Sequence, residues 1–574
     1  MKSDLLALGV FVGAFCFMSC SNVKATRTDA AFEYNEIYMP QTLGKKASAY
    51  GLNSVDYDWG VWGHNIATMI PEEHSHNIYA KPNGRTSDYS QYCFSSEHLY
   101  NYIVDYIDDN YGHSDTVRFT IMPNDNDVVC LDTKCVARGN TKNDASPAVF
   151  NLVRRLCERF PNHIFFVADY LTTSSLPDSP LPSNAGVIMS AMNYPRTVNP
   201  TTEESVFLNR IADWQKYVNR VYIWDYINNF DDYFTPVPLF SVMQHRLQEY
   251  EKAGVKGVFL NGSGSDYTAL GNVNAQVLSQ ILYDPDYDWK TNLREQVAIL
   301  FPTAAETITD FMIDQDDYFT RQSQPLPMYD GVAKAKEIYL PADRFMDFYN
   351  ALIVDRDNTH GAERAKLDEL INALSLTALE IERLNGNLNG YDDQLESLMD
   401  MVDMGHDVYN ESMWAVSDYV KDYSFMAGHA KAMEGRNLLK GHMLRALTPL
   451  DPDYPDISII TDGLLGMPSN YHNGNLITSA NTVFAVEIPK VEGARNLRVA
   501  LVQNHGYHIG LPELVELVYQ GQSLGTVEPH RLKEHGGHSF VEFEIPSFVH
   551  GPMTLKLYRN QDFKTMAIEE IEAY

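Results

Sequence analysis

Short apolar runs that stop abruptly at polar or aromatic residues dominate the first half of the chain. Residues 117–122 run into Pro123-Asn124-Asp125-Asn126-Asp127, and 163–168 stop at Asp169-Tyr170. Residues 186–192 stop at Asn193-Tyr194, 220–223 at Trp224-Asp225-Tyr226, and 255–260 at Asn261-Gly262. With 32–38 and 53–65, these make seven buried strands. Apolar positions at three- and four-residue spacing predict helices at 95–107, 147–160, 203–218 and 239–253, between successive strands. Repeated strand–helix units imply a parallel sheet, and a series this long predicts a (β/α)8-like TIM barrel with its eighth strand degenerate or its wall open. The carboxyl ends of such strands form the functional face, so Asp125, Asp169, Asn193, Trp224, Asp225 and Asn261 are expected to converge there.

The pattern changes twice further along. Residues 341–447 are helix-periodic with almost no proline and predict a helical bundle. After 449–455 the period becomes two, with strands at 483–488, 497–502, 515–519, 540–545 and 553–558, which predicts a β-sandwich of jelly-roll type. The expected organisation is multidomain α/β + α + β: leader 1–20, tether 21–31, barrel 32–315, bundle 316–448 and sandwich 449–574.

Charge narrows the partners. A net charge of −32 over 574 residues argues against nucleic acid, whose phosphates need a basic surface. The barrel region holds no glycine-rich phosphate loop, His-x3-His pair or G-x-S-x-G elbow, so no nucleotide, metal or other cofactor is expected. Lys2 followed by the apolar stretch 5–18 reads as an export signal. Its end, Phe17-Met18-Ser19-Cys20, resembles a bacterial lipobox, so Cys20 is expected to carry lipid and anchor an exported, outer-membrane lipoprotein. Cys130 and Cys135 follow the Asp125 loop; a disulfide between them is favoured over free thiols, with zinc third.

Several stretches together resemble the DUF4838 family, widespread among Bacteroidetes and related bacteria. They are Trp59-Gly60-Val61-Trp62-Gly63-His64-Asn65, Pro123-Asn124-Asp125 with the cysteines after it, Ile223-Trp224-Asp225-Tyr226, 253–259 and Leu282-Tyr283-Asp284-Pro285. The resemblance spans roughly 32–315. It implies a barrel related to α-glucuronidase and hexosaminidase-type glycoside hydrolases, in a family whose own activity is unassigned. Ile460-Thr461-Asp462-Gly463 and the strands after it are similar to discoidin (F5/8 type C) carbohydrate-binding modules.

Hydrolysis of a glycosidic bond usually takes two carboxyl groups, one on each side of it. Asp125 and Asp225 are the expected catalytic pair. Trp62, His64, Asn65, Asn124, Asp169, Tyr170, Asn193, Arg196, Trp224, Tyr226 and Asn261 are the expected contacts to an oligo- or polysaccharide. The aromatic residues offer faces for sugar stacking, and Arg196 a fork for an acidic sugar. No Glu stands at these strand ends. A non-catalytic glycan-binding lipoprotein on the same scaffold is therefore the alternative reading.

Overall fold

A computed structural model describes residues 29–452, 454–470 and 476–574. The leader, Cys20 and most of the tether lie outside these residues, so the lipidation expectation falls outside them too.

The first half contains β1 (Tyr34–Tyr38), β2 (Trp59–Val61), β3 (Tyr79–Ala80), β4 (Asp88–Tyr92), β5 (Arg118–Thr120), β6 (Ile164–Asp169), β7 (Ala185–Ser190), β8 (Arg220–Tyr226) and β9 (Gly257–Asn261). Seven of them form a curled parallel sheet in the order β1-β9-β8-β7-β6-β5-β2, while β3 and β4 pair as a separate hairpin. Among the described residues the sheet is a seven-stranded curl, open between its edges β1 and β2, which share no ladder, and a closed (β/α)8 barrel is not formed. The physical reason lies just before β2, where the chain makes a short helix, Val55–Asp58, instead of a longer strand. Isolated bonds bridge the seam: Asn53 donates its N–H to the Asn35 carbonyl at 2.7 Å, and Val55 donates to Glu36 Oε1 at 2.9 Å. Inside the curl, the Tyr34 ring meets Trp59 edge-on at 5.6 Å, so side chains close what the backbone leaves open.

Strand alternation sorts the two faces. Ile164, Phe166 and Ala168 of β6 and Tyr222 of β8 point into the curl, where they pack with Tyr34, Trp59 and Ile188. Phe165, Val167, Val221 and Ile223 point outward into the main core with the covering helices. Room for the inner rings comes from glycine. A Cβ at Gly186 would stand 2.4 Å from the Phe166 ring, and one at Gly257 2.8 Å from Tyr222. The covering helices include Glu97–Asn110, Ser146–Arg159, Thr202–Trp214 and Phe240–Lys252. In the first, Leu99, Ile103 and Ile107 bury one stripe, and the Ser96 hydroxyl caps the Leu99 N–H.

Helices Ala305–Phe319, Val332–Ile338, Ala342–Asp357, Gly361–Leu384, Asp392–Asp403 and Val416–Met433 follow. Two antiparallel sheets end the chain. They are built from β10 (Arg445–Ala446), β11 (Ile477–Ser479), β12 (Val483–Ile488), β13 (Asn496–Val502), β14 (Leu514–Tyr519), β15 (Gln522–Val527), β16 (His538–Glu544), β17 (Met553–Tyr558) and β18 (Met566–Ala573). The orders are β10-β12-β17-β14-β15 and β11-β18-β13-β16, and the two sheets enclose one apolar core that includes Phe484, Leu517, Leu555, Val499, Val541 and Ile568. A further cluster joins the three regions: Phe230 and Phe234 from the loop after β8 pack with Leu376 and Tyr419 of the helices and with Ala500 of β13.

Candidate functional site

A cavity of about 500 Å³ opens at the carboxyl ends of the curled strands, within the size range of small-ligand sites. Six of the expected residues line it: His64, Asp125, Tyr170, Trp224, Tyr226 and Asn261. Each is placed by a strand end. Gly63 takes a φ of +63°, a turn that brings His64 round after β2. The Nδ1 of His64 then bonds to the Pro123 carbonyl. A carbonyl only accepts, so Nδ1 carries a proton and Nε2 is the ring nitrogen left to face a ligand. Trp224 stacks on Trp62 at 5.2 Å, and the Tyr226 hydroxyl lies 3.2 Å from Ser190 Oγ.

The remaining wall comes from residues the sequence reading did not single out. Tyr329, Glu411 and Ser412 close the cavity from the helical region. One residue of the loop after β8 holds both segments. Phe230 donates its N–H to the Met328 carbonyl at 2.8 Å, and its own carbonyl accepts from the Glu411 N–H at 2.9 Å. The Tyr329 hydroxyl donates to Glu411 Oε2, also at 2.9 Å. Burial, then the charge of Asp125 and a hydrogen bond to it, then the charge of Glu411, push the Tyr170 hydroxyl up to about 12. The phenol therefore stays protonated, facing two carboxylates. Burial and then Glu411 also raise Asp231 to about 6.

Other expected residues lie elsewhere. Asp225 is sealed behind the sheet: it pairs with Arg246 at 2.9 Å, accepts from the Tyr250 hydroxyl at 2.7 Å, and is inaccessible to solvent. Asp169 likewise faces outward, bound by Arg210 at 2.8 Å and by the Trp214 indole at 2.6 Å. Both follow from alternation, since their neighbours Trp224 and Ala168 face in. The expected pairing of Asp125 with Asp225 is corrected accordingly.

Arg196 is no sugar clamp either. It is buried, and its guanidinium donates to the carbonyls of Asn228 at 2.8 Å, of Leu326 at 3.4 Å and of Pro327. That ties the loop after β8 to the segment carrying Tyr329. Asn124 donates its amide to the Ser90 carbonyl at 2.8 Å and its backbone N–H to Gln91 Oε1 at 3.0 Å, fastening the Asp125 loop to β4. Trp62 lies under Trp224 and is not part of the cavity wall. Asn65 bonds back to the Trp62 carbonyl, and Asn193 is exposed in the turn after β7; neither lines the cavity.

The bridge expected between Cys130 and Cys135 is not formed. Cys93, Cys130, Cys135 and Cys157 are all free thiols, and the Cys135 sulfur lies 3.6 Å from that of Cys93. Among the described residues, the one group of three or more side chains within metal-ligand reach of one another is Cys93, Cys130 and Cys135, away from the cavity wall.

The fold and site define a class: a curled parallel α/β sheet with an aromatic, carboxylate-bearing cavity at its carboxyl strand ends. Residues 24–313 match the family described as "Domain of unknown function (DUF4838)", and the chain belongs to it. No curated protein matches the chain. Among solved structures, the lectin domain of lectinolysin complexed with Lewis B antigen aligns at 12% identity, covering 24% of this chain and 96% of that one, with a TM-score of 0.19. A structure of the Streptococcus pneumoniae β-galactosidase BgaA aligns at 14% identity, covering 24% of this chain and 93% of that one, with a TM-score of 0.17.

Proposed function

We propose that this protein is a glycoside hydrolase-like enzyme that acts on an extracellular glycan, with Asp125 and Glu411 as its working carboxylates. One observation carries the reading: both acids border a single cavity and both act on the Tyr170 hydroxyl within it. Trp224, Tyr226 and Tyr329 offer faces for a sugar ring, while His64, Ser190 and Asn261 offer hydrogen bonds to its hydroxyls. One carboxyl group would protonate the departing oxygen while the other attacks the anomeric carbon or activates a water.

The test incubates the purified chain with a panel of host and plant glycans and follows released sugars. Asp125→Asn and Glu411→Gln should each lower release by roughly 10²-fold or more, the scale of an acid/base contribution. Full activity in both variants, on a substrate the parent cleaves, would sink the proposal.

A second reading, a non-catalytic glycan receptor, is favoured by the ion pair that removes Asp225 from the cavity. It predicts binding without release. The C-terminal sheets, read as a discoidin-like jelly roll, would add a carbohydrate-binding module. Cys20 would hold the whole at the outer membrane, a placement that rests on the leader sequence alone. Labelling with a radioactive fatty acid, lost in Cys20→Ser, tests the anchor.

A further inference from the structure

Outside the cavity wall, three buried thiols converge. Cys93 directly follows β4, Cys130 follows the Asp125 loop, and Cys135 lies in the helix Thr133–Arg138. Their sulfurs all lie within 4.8 Å of one another, and those of Cys93 and Cys135 are 3.6 Å apart. None is more than 6% exposed. We propose that Cys93, Cys130 and Cys135 form a thiolate site for one Zn²⁺ ion, which staples the loop carrying Asp125 to the β3–β4 hairpin.

The geometry suits the ion. Zn–S bonds of about 2.3 Å in a tetrahedral site put the sulfurs about 3.8 Å from one another. Bringing the three into that range takes only small side-chain movements. A disulfide uses two sulfurs and would leave the third thiol against it, open to exchange. A metal uses all three. The Cys130 sulfur also accepts the Lys81 N–H at 3.3 Å, an outer bond of the kind that steadies a metal-bound thiolate. A water or the buried Ser95 hydroxyl, which neighbours Cys135, supplies the fourth ligand.

The staple would reinforce a connection already present. Gln91, two residues before Cys93, accepts from the Asn124 N–H and donates to the Asn124 carbonyl, both at 3.0 Å. On the other side of the loop, the Leu131 N–H donates to the Lys81 carbonyl at 2.9 Å. Zinc would lock both ends of the loop that presents Asp125. This inference stands apart from the enzymatic proposal, because it rests on the sulfurs and not on the cavity.

The full chain, purified with a reductant, should contain one zinc per molecule by plasma mass spectrometry. After chelation it should take up one equivalent of Co²⁺ with a near-ultraviolet sulfur-to-cobalt charge-transfer band, and it should melt at a lower temperature without metal. Cys93→Ser, Cys130→Ser and Cys135→Ser should each lose the band, while Cys157→Ser keeps it. Should the three variants fail to fold, cobalt uptake by the unsubstituted chain decides alone. A fully reduced chain that takes up neither Zn²⁺ nor Co²⁺ overturns the proposal. So does a chain purified without reductant in which a Cys93–Cys135 disulfide persists and no metal enters after reduction.

Discussion

Asp225 sits between two aromatic residues that line the cavity, yet its carboxylate points the other way. Successive side chains of a strand face opposite sides, so Trp224 and Tyr226 facing in puts Asp225 out. That parity was legible in the sequence once the two aromatic residues were assigned to the cavity. Asp125 escapes the argument because it lies in the loop beyond β5, where alternation no longer applies. The two acids should therefore behave oppositely when replaced. Asp225→Ala leaves the Arg246 charge buried without its partner and should cost roughly 3–5 kcal/mol of stability, read from denaturant midpoints. Asp125→Asn, at an exposed loop position, should change stability by no more than about 0.5 kcal/mol while removing activity. If Asp225→Ala were harmless to folding, the assignment of its ion pair as structural would fail.

Elements were legible where a local period marks them. The strands of the curl follow from apolar runs that stop at polar residues, and its covering helices from three-to-four spacing, although the run at 53–65 yields only the short β2 after a helical turn. The strand β18 does not. Glu569, Glu570 and Glu572 make it read as solvent-exposed, yet all three are buried. Their partners come from distant parts of the chain: His538 for Glu569, Asn437 for Glu570, and His429 with Arg498 for Glu572. No window of sequence contains both halves of such a pair. The turn that presents Glu411 is similar, since its position depends on a backbone bond to Phe230. In that turn Met413 holds a left-handed φ of +62° on an exposed side chain. Met413→Gly should relieve the strain by a net of about 0.5–1 kcal/mol, seen as a higher denaturant midpoint with sugar release unchanged.

Across the whole molecule, burial raises several carboxyl groups, and their sum gives the protein a direction of response to pH. Glu36 rises to about 8 inside the seam of the curl, chiefly through burial. Asp232 and Asp462 rise to about 6 for the same reason, as does Asp231. Each folded value lies above the unfolded one, so the folded chain keeps protons that the unfolded chain has released. Their stabilising contribution is complete below about pH 4 and is lost as pH rises through 6 and then 8, at about 1.4 kcal/mol per unit for each titrating group. The net charge of −32 adds self-repulsion in the same direction. The melting temperature should fall from pH 5 to 8.5, and Glu36→Gln should flatten the upper part of that fall; an unchanged slope would show that Glu36 is not its source. The amino-acid sequence by itself determined the order of strands and helices, the residues at the strand ends and the acidic net charge, because backbone periodicity and net charge are local or additive properties. Only the tertiary structure decided that Glu411 and Tyr329 complete the cavity, that Cys93 joins Cys130 and Cys135, and that Asp225 belongs to the core. Those outcomes depend on packing between segments far apart along the chain.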